Sequence, residues 1–382
     1  MSARRPIRLF VDAHVLDQEF QGTRTFIREI YSILADKDDI LLFLAAHDIE
    51  NLKRSFPARG NVHFLPFKSR SSLVRLGWEI PAMLKEHAID YAHFQYITPL
   101  FKRGRYIVTI HDVIFSEYPD EFSLQYRILK KFLYKRSALM ADIVTTVSEY
   151  SERSIRKFLG VGEATPIHIV PNGVGPKFFA PYDRQQSKEF IFRKYGVEKP
   201  ILYVSRIEPR KNHVFLLKAF LELELYKRGY YLALLGHQSI PLPELDMTLE
   251  ALPEGIRKFI FMSDKVGDAD LLEFYRAAEV FVYPSRAEGF GIPPLEAAAL
   301  QVPVICSNSS AMEQFAFFGE YHIDPYELPL LKTKLIKILE EPPSTAVLAG
   351  LSRMVHEEFS WERAAEALYK AVSLHLPLQL AD

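Results

Sequence analysis

The chain alternates short apolar runs with longer stretches in which apolar residues recur every three or four positions. In the first half the runs are Ile7–Val11, Ile40–Ala45, Val62–Phe67, Tyr91–Phe94, Ile107–Ile110, Ile143–Val147 and Ile167–Val170. Their length and β-branched content predict buried strands, and the segments between them, Thr23–Leu34, Leu73–Glu86, Glu121–Leu139 and Glu149–Leu159, predict helices. A doubly wound parallel sheet with right-handed crossovers produces this rhythm. The stretch PNGVGPKFFAPYD then breaks both periods with prolines, glycines and turn residues, and reads as a hinge. Afterwards the pattern restarts, with strands at Ile201–Val204, Tyr231–Leu235, Phe259–Phe261, Val280–Tyr283, Val304–Cys306 and Tyr321–Ile323. Helices are expected near His213–Lys227, Asp270–Ala277, Pro293–Leu300 and Pro329–Glu340. The expected fold is α/β, with two doubly wound Rossmann-like domains, residues 1–178 and 179–359. Because open parallel sheets bind ligands at the carboxyl ends of their strands, the two sheets are expected to face each other across a ligand cleft.

Length and composition narrow the class. A chain of 382 residues suits two domains with substantial cores. A formal charge of −1 excludes a generic nucleic-acid binder, so any basic surface must be local. The single cysteine, Cys306, rules out an intrachain disulfide and lies in an apolar run, as a core residue would. The start MSARRPIRLFVDAH lacks the apolar core of a signal peptide, and no run of ~20 apolar residues occurs, so a cytoplasmic protein is expected. One segment leaves peripheral contact with an anionic membrane at the inner face open. In QYRILKKFLYKRSALM, from Gln125 to Met140, five cations interleave with Ile128, Leu129, Phe132 and Leu133. The favoured reading is an ordinary helix with those four residues as a core stripe.

The richest chemistry lies in Val280–Cys306, where a strand passes into a helix through a glycine loop flanked by two glutamates. Gly289 and Gly291 permit close approach to the backbone, and Pro293 and Pro294 suit a helix start whose free N–H groups favour an anion. Glu288 on the loop and Glu296 about one turn into the helix are placed to accept hydrogen bonds from hydroxyls. A ligand carrying phosphate and many hydroxyls, such as a nucleotide sugar, would use every part of this element. The alternative is a solvated Glu288 and a Glu296 that only compensates the helix dipole. Ser205–Asn212, SRIEPRKN, follows the first strand of the second domain and precedes a helix, so Arg206 and Lys211 are candidates for stabilising a leaving diphosphate. Arg210 is expected either to face water or to pair with Glu208. Gln21–Gly22–Thr23–Arg24 follows the first strand, and Gly22 and Thr23 are candidate phosphate contacts, or simply a turn. His111–Asp112 ends a strand without a recognisable Ser or Cys nucleophile. Asp268–Ala269–Asp270 has a D-x-D form, but Asp270 reads as an N-cap with Glu273 completing a capping box, and no metal or other cofactor is expected. Pro294 stands where G-x-G-x-x-G needs its last glycine, which disfavours a dinucleotide.

The element Glu288–Gly289–Phe290–Gly291–Ile292–Pro293–Pro294–Leu295–Glu296 resembles the E-x7-E hallmark of the retaining GT-B glycosyltransferases of family 4. SRIEPRKN, HDV at His111–Val113, VSEYS at Val147–Ser151, VPNGV at Val170–Val174 and FSWERAA at Phe359–Ala365 stand in that family's order. The resemblance covers nearly the whole chain. It implies a GT-B fold in which the last helix, residues 360–376, packs back on the first domain. It implies a metal-independent hexosyltransferase moving a sugar from a nucleotide-sugar donor to a glycan or lipid-linked acceptor, in polysaccharide-type biosynthesis. The wording of HDVIFSEYP, LYVSRIEPRKN and EGFGIPPLEA is similar to the mannosyltransferase branch, which implies GDP-mannose as donor, with UDP-hexoses open. Carried onto this sequence, Gly22 and Thr23 lie near the diphosphate, His111 near the transferred sugar, and Arg206 and Lys211 on the diphosphate. Glu296 falls to the ribose, Glu288 to sugar hydroxyls, and Gly289, Phe290, Gly291 and Ile292 to the donor backbone contacts, with Phe261–Val266 beside the nucleobase. The relatives' paired glycines are replaced here by Gln21–Gly22. A non-catalytic nucleotide-sugar or glycan-binding subunit, an epimerase and a phosphorylase on a similar frame are the other readings.

Overall fold

A computed structural model describes residues 5–17 and 22–375. The chain forms two compact units, residues 1–173 with 361–382, and residues 174–360. The break between Gly173 and Val174 falls inside the Pro/Gly-rich stretch.

The first unit carries a parallel sheet of seven strands: β1 (Ile7–Asp12), β2 (Ile40–Ala46), β3 (Val62–Pro66), β4 (Tyr91–Gln95), β5 (Arg105–Thr109), β6 (Ile143–Thr146) and β7 (Ile167–Ile169). Their order is β3-β2-β1-β4-β5-β6-β7, so the winding reverses between β1 and β4, where such sheets place ligands. On one face, Phe94 and Tyr106 pack with Ile80 and Leu84, while Val108 and Val144 pack with Tyr134 and Ala138. The helices around residues 80 and 134 therefore lie in one layer. The Gly22–Leu34 helix meets the Trp361–Leu374 helix, with the rings of Phe26 and Trp361 at 6.4 Å and Lys37 3.1 Å from Glu366. Single π-type turns, Arg75–Glu79 and Ile155–Leu159, interrupt the helices that follow β3 and β6. Gln21 lies outside the described residues.

The second unit has six parallel strands, β8 (Pro200–Val204), β9 (Tyr231–Leu235), β10 (Ile260–Ser263), β11 (Val280–Tyr283), β12 (Val304–Ser307) and β13 (His322–Ile323), in the order β10-β9-β8-β11-β12-β13. Here too the winding reverses, between β8 and β11, and those two strands carry the SRIEPRKN and E-x7-E loops at their carboxyl ends. Val280, Phe281, Val282 and Cys306 are fully buried. Apolar side chains of this size contribute roughly 1.5–3 kcal/mol each when buried.

Two expectations fail. The Asp268–Ala277 helix starts two residues early, with Gly267 as N-cap, so Asp270 is not the cap. Its carboxylate instead accepts from Lys194 Nζ at 2.6 Å and from the Tyr195 hydroxyl at 2.5 Å, while Glu273 pairs with Arg276 at 2.6 Å. Those partners end the Arg184–Tyr195 helix, which is so polar that only Ser187 and Ile191 are buried, and so gives no periodic signal. In the Leu124–Met140 helix the buried residues are Tyr134, Ser137 and Ala138, not the expected stripe. Ile128, Leu129 and Phe132 are 62%, 56% and 64% exposed, and of the four only Leu133 packs against the core.

Candidate active site

In the second unit, β8 delivers Ser205–Glu208 into a tight turn, Pro209–Lys211, closed by Asn212 in the left-handed region at φ 63°. Gly236, after β9, lets this happen: at φ +146° a Cβ there would lie 2.0 Å from the Ser205 carbonyl oxygen, so no side chain fits. Asn212 Nδ2 donates to the carbonyls of Pro284 at 3.2 Å and Pro325 at 2.8 Å, and Arg286 N–H donates to the Arg210 carbonyl at 2.8 Å. These bonds stitch the basic loop to the glutamate loop after β11.

The stitched loops bury four charged side chains, Glu208, Arg210, Lys211 and Glu288. Arg210 does not face water, because its guanidinium pairs with Glu208. Glu208 also accepts from Ser239 Oγ at 2.8 Å and pairs with Arg206 at 3.1 Å, whose own side chain is 55% exposed and able to reach a ligand. Lys211 Nζ donates to Glu288 Oε1 at 2.5 Å, and the Tyr283 hydroxyl donates to the same oxygen at 2.7 Å. Burial pushes the Glu288 pKa up, but Lys211 and Arg210 outweigh it and hold the carboxylate below its usual range. Burial also pulls the Lys211 ammonium below its ordinary value, against the opposing pull of Glu288.

Glu296, in the second turn of the Ile292–Ala299 helix, behaves oppositely. Its Oε2 accepts from the Tyr275 hydroxyl at 2.9 Å, and burial raises its pKa to about 7.

Around the glycine loop, Gly291 adopts φ +97°, and a Cβ there would meet Met312 Cγ at 3.1 Å and a Phe315 ring carbon at 3.3 Å. The Phe290 ring is buried against Phe315 and Phe359, with centroids at 6.1 Å from each, so only its backbone is available to a ligand. Pro293 and Pro294 remove two of the first-turn N–H groups, which leaves the loop and Ile292 as the main donors. Ser310, in the left-handed region at φ 58°, accepts from the Glu288 N–H at 2.9 Å and holds the loop from the far side.

In the first unit, His111 is buried and joined to a chain of neutral groups. Its Nε2 donates to Gln95 Oε1 at 2.7 Å, which leaves Nδ1 as the ring's lone-pair nitrogen. Gln95 Nε2 approaches His93 Nε2 at 3.2 Å, His93 Nε2 meets Thr109 Oγ1 at 2.7 Å, and the Tyr31 hydroxyl bonds His93 Nδ1. Burial lowers both histidines to a pKa of about 3. The Ser151 hydroxyl, in the VSEYS helix start, donates to the His111 carbonyl at 2.8 Å. Gly22 and the buried Thr23 open the Gly22–Leu34 helix.

The structure thus joins Lys211 directly to Glu288 and Arg206 to Glu208, while Glu296 bonds Tyr275. Sequence reading missed Gln95, His93, Tyr283, Ser310 and Gly236. A signal existed for the first two: polar residues two apart in an otherwise apolar strand share one face. Among the described residues no group of three or more His, Cys, Asp or Glu could hold a metal ion.

Residues 184–350 match the family model described as Glycosyl transferases group 1, and residues 20–178 match Glycosyltransferase Family 4. O-antigen chain mannosyltransferase B of Escherichia coli is 28% identical over 298 residues, 75% of this chain and 75% of its own. A GDP-mannose-dependent monoacylated alpha-(1-6)-phosphatidylinositol monomannoside mannosyltransferase of Corynebacterium glutamicum is 28% identical over 239 residues, 59% of this chain and 61% of its own. The structure of sucrose-phosphate synthase from Thermosynechococcus elongatus superposes over 99% of this chain and 100% of that one, with a TM-score of 0.75 at 19% identity.

Proposed function

Since the chain belongs to the group 1, family 4 glycosyltransferases of the GT-B fold, we propose that it moves mannose from GDP-mannose to a hydroxyl of a glycan or glycolipid acceptor, with retention at the anomeric carbon. The observation that carries this is the buried Lys211–Glu288 pair beside Arg206, at the strand ends where the winding of the second sheet reverses. Cleaving the C1–oxygen bond of a nucleotide sugar leaves its electron pair on a diphosphate. Lys211 and Arg206, with the N–H groups of Gly289, Gly291 and Ile292, are donors already in place for that charge. Glu288 accepts from hexose hydroxyls with the oxygen that Lys211 and Tyr283 leave free, and Glu296 accepts from the ribose.

Retention follows from the same electrostatics. With its pKa held down by Lys211, Glu288 is a poor base and a poor nucleophile. The departing diphosphate is then the group that takes the acceptor proton, while the acceptor oxygen bonds C1 on the face just vacated. His111, neutral at working pH, serves the reaction as a hydrogen-bond partner for a sugar hydroxyl. The two cations do the work that a divalent ion would otherwise do, so no metal is required. The mannosyl donor is supported by the two mannosyltransferase relatives.

The test is slow donor hydrolysis followed by proton NMR. GDP-mannose should release α-mannose first, at a rate unchanged by EDTA. Initial β-mannose would overturn retention, dependence on added magnesium would overturn metal independence, and consumption of UDP-glucose in its place would reassign the donor.

A further inference from the structure

The Leu124–Met140 helix presents two parallel ridges. Leu124, Ile128 and Phe132 recur every four residues and are 64%, 62% and 64% exposed. Beside them, Arg127, Lys131 and Lys135 make a second i, i+4 row. Among the described residues none of these three cations is paired with a carboxylate, and the helix itself contains no acidic residue. The other two cations are occupied. Lys130 lies over the rings of Tyr126 and Tyr134, and Arg136 donates to the carbonyls of Pro99 and Leu100. Arg136 thereby ties down a loop that extends the same layer with exposed Leu100 and Phe101, at 44% and 67%.

An apolar ridge of this size leaves its burial free energy unrealised in the free protein, and so calls for an occupant. A second copy would set one unpaired cation row against another. A surface that is apolar in its interior and anionic at its face complements both rows at once: the side chains of Ile128 and Phe132 enter the acyl boundary while the cations sit among phosphate groups. We infer that the first unit docks on an anionic lipid bilayer through this helix and the Leu100–Phe101 loop. The inference does not depend on which sugar donor is used.

The test is co-sedimentation of the full-length chain with vesicles of phosphatidylcholine alone and of equimolar phosphatidylcholine and phosphatidylglycerol, at low and raised salt. Binding is expected only to the anionic vesicles and should weaken with salt. Replacing Lys131 and Lys135 together by Gln should lower partitioning about 30-fold, the equivalent of about 1 kcal/mol per cation at about 1.4 kcal/mol per factor of ten. Replacing Ile128 and Phe132 together by Ser should remove the binding that survives raised salt. Both doubly substituted proteins should melt with the wild type, because the replaced side chains are exposed. Equal binding to both vesicle types, wild-type partitioning of either variant, or a vesicle-independent dimer abolished by the Ile128/Phe132 pair would overturn the inference, the last by naming a second copy as occupant.

Discussion

Each unit buries a polar cluster near the ends of its strands, and the two clusters solve burial in opposite ways. In the second unit the charges persist, because Glu208 faces Arg210 and Glu288 faces Lys211. In the first, the side chains of His93 and His111 bond a phenol, a threonine and an amide, and burial strips their protons. Desolvation acts on both clusters, and an opposite charge within contact decides which groups stay ionised. The same rule separates two glutamates eight positions apart, Glu288 held down by a cation and Glu296 pushed up by burial, which the Tyr275 hydrogen bond only partly offsets. The charged cluster suits a leaving diphosphate, and the neutral one suits hydrogen bonding to a hydroxyl.

The largest expected effect comes from removing one side of the charged pair. Lys211→Ala should cut turnover about 10²–10³-fold. It should also cost about 3–5 kcal/mol of stability, since Glu288 is left buried without its cation. Pairing it with Glu288→Leu should restore melting and not activity. Wild-type turnover in the single variant, measured by GDP release, would break the contrast.

Acid should separate the units next. His93 and His111 bind protons near pH 6.5 when unfolded and only at about 3 when folded, so their stability is present above 6.5 and lost as pH falls. Two such groups remove about 3 kcal/mol per pH unit from the first unit. In the second unit His213, also lowered to about 3, is countered by Glu296, whose folded value of about 7 against 4.5 adds stability as pH falls through that window. One further half-buried histidine in each unit, His168 and His322, is shifted down and cancels in the comparison. Hydrogen exchange between pH 6.5 and 4.5 should therefore show residues 7–169 opening first; simultaneous opening would contradict it.

Smaller effects refine each side. Gln95→Leu removes the acceptor that orients His111 and should lower kcat up to about tenfold while nucleotide affinity stays unchanged. An equal loss in both would make Gln95 merely structural. Glu296→Gln should flatten a rise in nucleotide affinity of about threefold between pH 6 and 8, the range in which the wild-type carboxyl ionises. An unchanged profile would remove Glu296 from the ribose.

The strands were legible because each is a short, mostly apolar run between turn residues, and the central ones, such as β4, β5, β6 and β11, are buried along nearly their whole length. The Arg184–Tyr195 and Thr345–Glu358 helices were not, since each has few buried positions and so little periodic contrast. In the site, residue types were readable and partnerships were not. Nothing local pairs Lys211 with Glu288, 77 positions away, or sends Arg210 inward to Glu208. The Leu124–Met140 helix shows the same limit, since its apolar spacing fits a core stripe and only the packing of neighbouring helices leaves that stripe outside.

The central claim is that the charged cluster of the second unit holds the diphosphate of a mannosyl donor, and calorimetric titration of GDP-mannose, GDP, UDP-glucose and UDP into the wild type and Lys211→Ala, with EDTA and with magnesium, tests it most directly. The account predicts selective binding of the guanosine compounds, indifferent to magnesium and weakened at least tenfold in the variant. Wild-type affinity in Lys211→Ala, or binding of no nucleotide by either protein, would contradict it.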